Sequence, residues 1–261
     1  MNIVVIIKQV PEIELVRVDD ASGEVNLPSG PGVVNPFDEY AIEEALKIKG
    51  SNGGKVTVLT VGSDRAESAL RQALSVGADE AILVTDPAFE NSDGMATAKI
   101  LAAAINKIGD VNLVLAGKQA IDDDAAVVPA ALAANLDWPQ ILFARKTESI
   151  AGSEAVFQRT TEEGYDTVST SLPAVVSVVK EINEPRLPSL KGKMAARKAP
   201  ITKWAASDIG IDALSVGANS PTKSIKAASP PLRQKGEMIE GETPEEIADK
   251  LVKKLRDNQV L

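Results

Sequence analysis

The sequence predicts an α/β fold: a doubly wound, mostly parallel sheet with antiparallel additions and an extended C-terminal arm. Three observations predict it. Residues 3–7, 55–61, 80–84 and 111–116 are short, mainly apolar runs of the kind that form strands buried on both faces. Stretches with helical apolar spacing separate them, giving the alternation of a parallel sheet. Beyond Gln140 the pattern changes to short strand candidates joined by glycine-bearing turns, and beyond Lys180 periodicity is lost.

Taken in order, residues 3–7 are a continuous β-branched run ended by Lys8, Gln9, Val10 and Pro11. Turn formers crowd residues 12–34, where 15–18 and 24–27 read as hairpin arms. Asn35-Pro36 predicts a helix start, with asparagine as the cap and proline at the first helical position. Tyr40, Ala41, Ala45, Leu46 and Ile48 form its apolar face, and Gly50 reads as its stop. A second strand (55–61) turns at Gly62 into a helix over 65–76. A third strand (80–84) precedes a helix opened by Asp93. The fourth (111–116) breaks at Gly117 and leads through Asp122, Asp123 and Asp124 into an alanine-rich helix. Right-handed crossovers place helices on both faces of such a Rossmann-like sheet. Runs at 141–146, 155–159, 166–171 and 174–179 read as antiparallel additions. Residues 180–198 turn basic, and 205–236 stay irregular with three prolines. Such a length of unpatterned chain suits an arm lying on another surface. Order returns at 243–255, where Ile247, Leu251 and Leu255 make an i, i+4 stripe. The expected division is a nucleotide-binding domain over 1–198 and a C-terminal arm over 199–261.

Composition narrows the chemistry. The 261 residues include no cysteine and no histidine, which excludes thiol nucleophiles, Ser-His-Asp triads, Cys/His zinc sites and disulfides. A formal charge of -9 and 3% aromatics disfavour a nucleic-acid partner. The N-terminus has no basic segment ahead of its apolar run, and no apolar run reaches the ~20 residues of a membrane helix. A soluble, cytoplasmic protein is expected.

A strand, a glycine-marked turn and a helix start over 110–140 are the order in which α/β domains hold a phosphate, through backbone N–H groups. On that reading Gln119 and Asp123 select the rest of a nucleotide. The alternative is an ordinary strand-to-helix loop whose aspartates satisfy the helix dipole. Neither a G-x-x-x-x-G-K-[ST] string nor G-x-G-x-x-G is present. The basic run 180–198 on an acidic chain suits docking to an acidic surface, with Leu187 and Leu190 as apolar anchors.

Five strings in order carry a resemblance: VVIIKQVP at 4–11, VNPFDEYAIEEAL at 34–46, GKQAIDDD at 117–124, LDWPQ at 136–140 and NEPRLPSLKGKM at 183–194. With the segment 159–177, they make the chain similar, along essentially its whole length, to β subunits of electron-transfer flavoproteins. The resemblance implies pairing with a larger α subunit and an FAD shared with it. Electrons then come from dehydrogenases, often the acyl-CoA dehydrogenases of fatty acid β-oxidation. The β subunit is implied to be an electron carrier rather than an enzyme. It also implies a nucleotide in the β subunit: AMP, or a second FAD in bifurcating members that oxidise NADH. The implied contacts are Ile6 and Val61 through their backbones, Asn35, Pro36, Phe37 and Asp38, and Gly117, Gln119, Asp123, Asp124, Ala125, Ala126, Val127 and Val128. The implied docking residues are Leu187, as anchor, with Arg186, Lys191 and Lys193.

One departure stands out. AMP-binding relatives place Asn, Gln and Thr after the aspartates, whereas here Ala125, Ala126, Val127, Val128 and Pro129 follow. No side chain in that turn donates a hydrogen bond, so an anion there must be held by N–H groups of residues 124–128. AMP, FAD and an empty site all remain open, as does a stand-alone adenine-nucleotide module.

Overall fold

The computed structural model describes residues 1–19, 21–231 and 235–261. Two compact units emerge, Met1–Ala227 and Ala228–Leu261. The first is organised around a nine-stranded sheet. Its strands are β1 (Asn2–Ile6), β6 (Lys55–Val61), β7 (Glu80–Val84), β8 (Leu113–Gly117), β9 (Gln140–Ala151), β10 (Glu154–Thr160), β11 (Tyr165–Ser171), β12 (Ala174–Val178) and β13 (Thr202–Trp204). Two two-stranded ribbons stand apart: β2 (Gln9–Val10) with β5 (Val33–Val34), and β3 (Arg17–Val18) with β4 (Val25–Asn26). The β3–β4 ribbon is the expected hairpin, in narrower form.

The sheet order is β11-β10-β9-β12-β8-β1-β6-β7-β13. From β1 the chain steps outward through β6 and β7, then returns to place β8 on the other side of β1. That reversal beside β1 opens a crevice past the strand ends. Helices α1 (Pro36–Asn52) and α2 (Glu67–Val76) pack on one face, where Ile3, Val5, Ile42, Leu46, Leu70 and Leu115 share a core. Helices α3 (Gly94–Ile108) and α4 (Val128–Leu136) cover the other, with Val4, Leu59, Ile100, Ile105 and Leu132. The uninterrupted apolar runs are thus buried from both sides, as parallel strands require.

Several elements differ from expectation. β9, β10 and β11 form an antiparallel meander, but β12 is parallel to both β8 and β9. Its sequence AVVSV is buried at every position, which fits a strand inside a parallel sheet better than an added edge. Helix α1 runs through Gly50 to Asn52 and stops at Gly53, whose φ of 70° needs a residue without Cβ. Helix α4 begins at Val128, four residues beyond Asp124. Asp124 and Ala126 have φ of 50° and 53°, which no helix tolerates, so the stretch after the aspartates is a loop.

The basic stretch is partly ordered as α5 (Leu190–Lys198), capped by the Ser189 hydroxyl, which accepts from the N–H of Gly192 at 3.0 Å. Gly192 touches the carbonyl of Ser75 at the end of α2, and any Cβ there would collide with it. Beyond α5 the chain joins the main sheet: β13 pairs parallel with β7, and Lys203 reaches Asp64 at 2.7 Å and Glu67 at 2.8 Å. Residues 199–227 belong to the first compact unit. In the second unit, α6 (Pro244–Asp257) is capped by Thr243 and braced by a 2.6 Å Glu246–Lys250 pair. None of its residues is buried, and Ile247 and Leu251 are exposed. No helix among the described residues is long and apolar enough to cross a membrane.

Candidate functional site

The C-terminal ends of β1, β6, β7 and β8 open into a cavity of about 990 Å³. That lies at the upper end of the range of roughly 300–1,000 Å³ found for small-molecule and cofactor sites. Ile6 ends β1, Val61 ends β6, Thr85 follows β7 and Gly117 ends β8, and all four line it. So do the starts of α3, at Asp93 and Gly94, and of α4, at Val127 and Val128. Two helix N-termini, each the positive end of its dipole, therefore border one space.

Asp38 holds the floor together. Its Oδ2 accepts from the N–H of Lys8 at 2.7 Å, and its Oδ1 from the N–H of Gly117 at 3.2 Å and from Nδ2 of Asn35 at 3.0 Å. One carboxyl thus ties the ends of β1 and β8 to the first turn of α1. Burial pushes it up to about 7, against the pull of these donors and of the Lys8 charge. Gly117 is the neighbour this geometry demands, because a Cβ there would strike Asp38 Oδ1 and lie 2.7 Å from the carbonyl carbon of Phe37.

Asn35 holds the expected N-cap position of α1, but its side chain does not cap the helix. Its amide makes no capping bond. Nδ2 donates instead to Asp38 and, at 2.8 Å, to the carbonyl of Gln119, while Oδ1 accepts from the N–H of Ile121 at 3.1 Å. The buried side chain pins the loop that leaves β8, and residues 84 and 86 positions away in sequence meet it.

The aspartates are all engaged. Lys8 Nζ donates to Asp122 at 2.7 Å and to Asp123 at 3.2 Å. Asp123 Oδ1 also accepts from the N–H of Ala125 at 3.1 Å, and Gln119 Nε2 donates to Asp124 at 2.6 Å. Past them, the N–H groups of Ala126, Val127 and Val128 find no acceptor among the described residues. A positive-φ residue at 126 followed by a right-handed one at 127 is the pairing that turns successive N–H groups into one concavity, an anion nest. Val127 is backed by α3, where a Cβ on Gly94 would come within 2.7 Å of its Cγ1. The carboxylates after β7 and at the start of α3 are also quenched: Asp86 accepts from the N–H groups of Ala88 and Ala206, and Asp93 from Ala96 and Thr222.

Of the residues named from sequence, Ile6, Asn35, Asp38, Val61, Gly117, Gln119, Asp123, Ala125, Ala126, Val127 and Val128 line the cavity. Pro36, Phe37 and Asp124 stand behind it. Phe37 lies under Lys118 Nζ, 4.8 Å from the ring centroid. Sequence reasoning missed Lys8, and also Ser63, Thr85 and Thr97, which belong to the lining. Lys8 carried a signal, since it directly follows the buried β1 run at a strand end. Ser63 and Thr85 sit in loops and Thr97 in the first turns of α3, none within a distinctive pattern.

The residues expected to dock a partner lie elsewhere, near α1 and α2. Leu187 is 90% exposed and Leu190 77%. Lys191 and Lys193 are exposed on α5. Arg186 is occupied: Nε and a terminal nitrogen fork onto Glu43 at 2.6 and 2.9 Å, which holds the guanidinium above its usual range.

Comparison with known proteins bears on this arrangement. A family model for the electron transfer flavoprotein domain matches residues 26–209. The chain is 41% identical over 263 residues to the caffeyl-CoA reductase–Etf complex subunit CarD of Acetobacterium woodii, covering 100% of both chains. It is 40% identical, again across 100% of both chains, to the electron transfer flavoprotein subunit beta of Thermoanaerobacterium thermosaccharolyticum. Against the Mycobacterium tuberculosis subunit beta the figure is 39%, over 96% of this chain and 97% of that one.

Proposed function

The chain belongs to the electron transfer flavoprotein family, as a β subunit, and on that basis we propose that its cavity binds an adenine nucleotide while an α subunit completes a separate FAD site. The carrying observation is the run of unbonded N–H groups at 126–128, set between two helix N-termini and beside carboxylates already neutralised by Lys8 and by backbone donors. That environment accepts a phosphate without any side-chain donor. It answers the absence of Asn, Gln and Thr from the turn.

In this reading FAD, when bound, supplies the electron chemistry. The chain itself binds and positions. Asp38 and Asn35 set the loop, the nest takes the phosphate, and the exposed leucines and lysines of 187–193 meet an electron-donating dehydrogenase, for which acyl-CoA dehydrogenases are the proposed class. Residues 228–261 are proposed to pack on the α subunit.

A second reading has its own observation. The cavity spans the ends of β8, β1, β6 and β7 in about 990 Å³, space beyond one mononucleotide. A second FAD would use that space, as in a bifurcating complex that oxidises NADH. The test is to purify the chain with its α partner, count flavins per heterodimer and identify the nucleotide released on denaturation. One FAD with AMP supports the first reading, and two FAD without AMP supports the second. A heterodimer with no nucleotide beyond the shared FAD overturns both.

A further inference from the structure

We propose that binding of an anionic nucleotide in the cavity is proton-linked, with Oδ2 of Asp38 as the atom that takes the proton. The inference rests on the nucleotide reading of the cavity and adds its regulation by pH.

The hydrogen bonds on Asp38 assign the atom. An ionised carboxylate offers about four acceptor positions. Oδ1 fills both of its own, with the N–H of Gly117 and Nδ2 of Asn35. Oδ2 takes only the N–H of Lys8. The remaining position is on Oδ2, so a proton bound there breaks none of the bonds that join β1, β8 and α1. The carboxyl can change charge without releasing the cavity floor. It is only 5% exposed, yet it lines the cavity. A nucleotide that fills that space displaces its water and acts on the carboxyl across a medium of low dielectric.

The charges around Asp38 leave an added anion without a counter-ion. Among the described residues Lys8 is the only cation in the lining, and its Nζ is committed to Asp122 and Asp123. Beyond β8, Lys118 Nζ lies over the Phe37 ring, and Asp124 is held by Gln119. On α1 stands Glu39, which burial also pushes up and which accepts from Gln72 at 2.9 Å. The other charged lining groups are all acidic: Asp64, Asp86, Glu90 and Asp93. A phosphate set among them raises the cost of a charge on Asp38, which favours its protonated form. Burial already holds that carboxyl at about 7, so the further rise falls near neutral pH. The chain has no histidine, so no imidazole shares this range. The α-amino group of Met1 lies beside Gly53, at the other end of β1 from the cavity.

The sign follows. The empty site keeps the proton below about 7, and the occupied site keeps it to a higher pH. Between those values, binding takes up a proton. Affinity is full below about 7 and falls as pH rises through the window. A proton held about tenfold more tightly in the occupied site means affinity about tenfold weaker above the window, by reciprocity.

The experiment uses the heterodimer stripped of its β-subunit nucleotide. AMP, and FAD in a second series, is titrated in by calorimetry from about pH 6 to about pH 9, in two buffers of different ionisation enthalpy. Above about pH 7 the phosphate monoester is already doubly charged, so a proton taken up there belongs to the protein. About half a proton per nucleotide is expected near pH 7.5, with affinity about tenfold weaker at pH 9 than at pH 7. Asp38→Asn should abolish the uptake, and Glu39→Gln should keep it. Infrared difference spectra of the native heterodimer near pH 7.5 should gain a carboxylic-acid C=O band when nucleotide is added, a readout that needs no variant to fold. Nucleotide bound without proton uptake, or without that band, overturns the linkage while the nucleotide reading stands. So does uptake that survives in folded Asp38→Asn or is lost in Glu39→Gln. Failure of AMP and FAD alike to bind at any pH removes the nucleotide reading and this inference with it.

Discussion

Asn35 donates to Asp38 at 3.0 Å across the first turn of α1, and both side chains then reach away from the helix. Asp38 gathers the ends of β1 and β8, and Asn35 gathers the loop that follows β8. The pair converts a local N-x-x-D string into the point where two parallel strands and the loop after β8 are joined.

Asp38 gives stability a pH dependence of definite sign. Its folded value of about 7 lies above the ordinary 3.8 because burial disfavours the charge. Between those values the unfolded chain has released a proton that the folded chain keeps. The associated stability is complete below about 3.8 and is lost as pH rises through about 7. The stability of the native chain relative to Asp38→Asn should therefore fall across that window, measured by urea unfolding at several pH values. A flat difference would show that another group titrates.

Gly117→Ala should be strongly disruptive. The added Cβ meets Asp38 Oδ1 and the Phe37 backbone, neither of which is a flexible chain end. A loss of about 1–3 kcal/mol, typical of overpacking, is expected by chemical unfolding, together with loss of bound nucleotide.

Lys8→Gln separates two roles. Its ion pairs with Asp122 and Asp123 are partly exposed, so stability should change by about 1 kcal/mol or less. Asp123 in the cavity lining and Asp122 beside it would lose their cation, however. AMP affinity measured by calorimetry should drop about tenfold, a loss that salt reduces through screening.

Val128→Thr tests the side-chain-free phosphate site by addition. The residue lines the cavity at the first position of α4. A hydroxyl there supplies the donor the turn lacks, and one hydrogen bond of about 1 kcal/mol corresponds to roughly fivefold tighter AMP binding. Unchanged affinity would place the phosphate away from this turn.

Much of the core was legible because its signals are local. The β1, β6, β7 and β8 runs are buried on both faces, and a strand of that kind must be apolar throughout whatever lies beside it. The strings around Asn35, Asp38 and Gly117 likewise marked the cavity lining. What those residues do there was not legible: Asn35 sits at the cap position as read, but its side chain is a long-range clamp rather than a capping group. The helix expected directly after the aspartates starts at Val128, because φ at Asp124 and Ala126 answers to the packing of the loop on α3 and Asn35, not to helix propensity.

Sequence alone therefore determined the α/β class, the order of the buried strands and the loops that meet at their ends, since periodicity and turn chemistry act over a few residues. Tertiary structure decided the insertion of β12 between β8 and β9, the docking of β13 beside β7, the quenching of the aspartates by Lys8 and the grip of Glu43 on Arg186. Each of these is a pairing between residues tens to more than a hundred positions apart, and hydrogen-bond and charge satisfaction at such range is settled only when the folded chain brings the partners together.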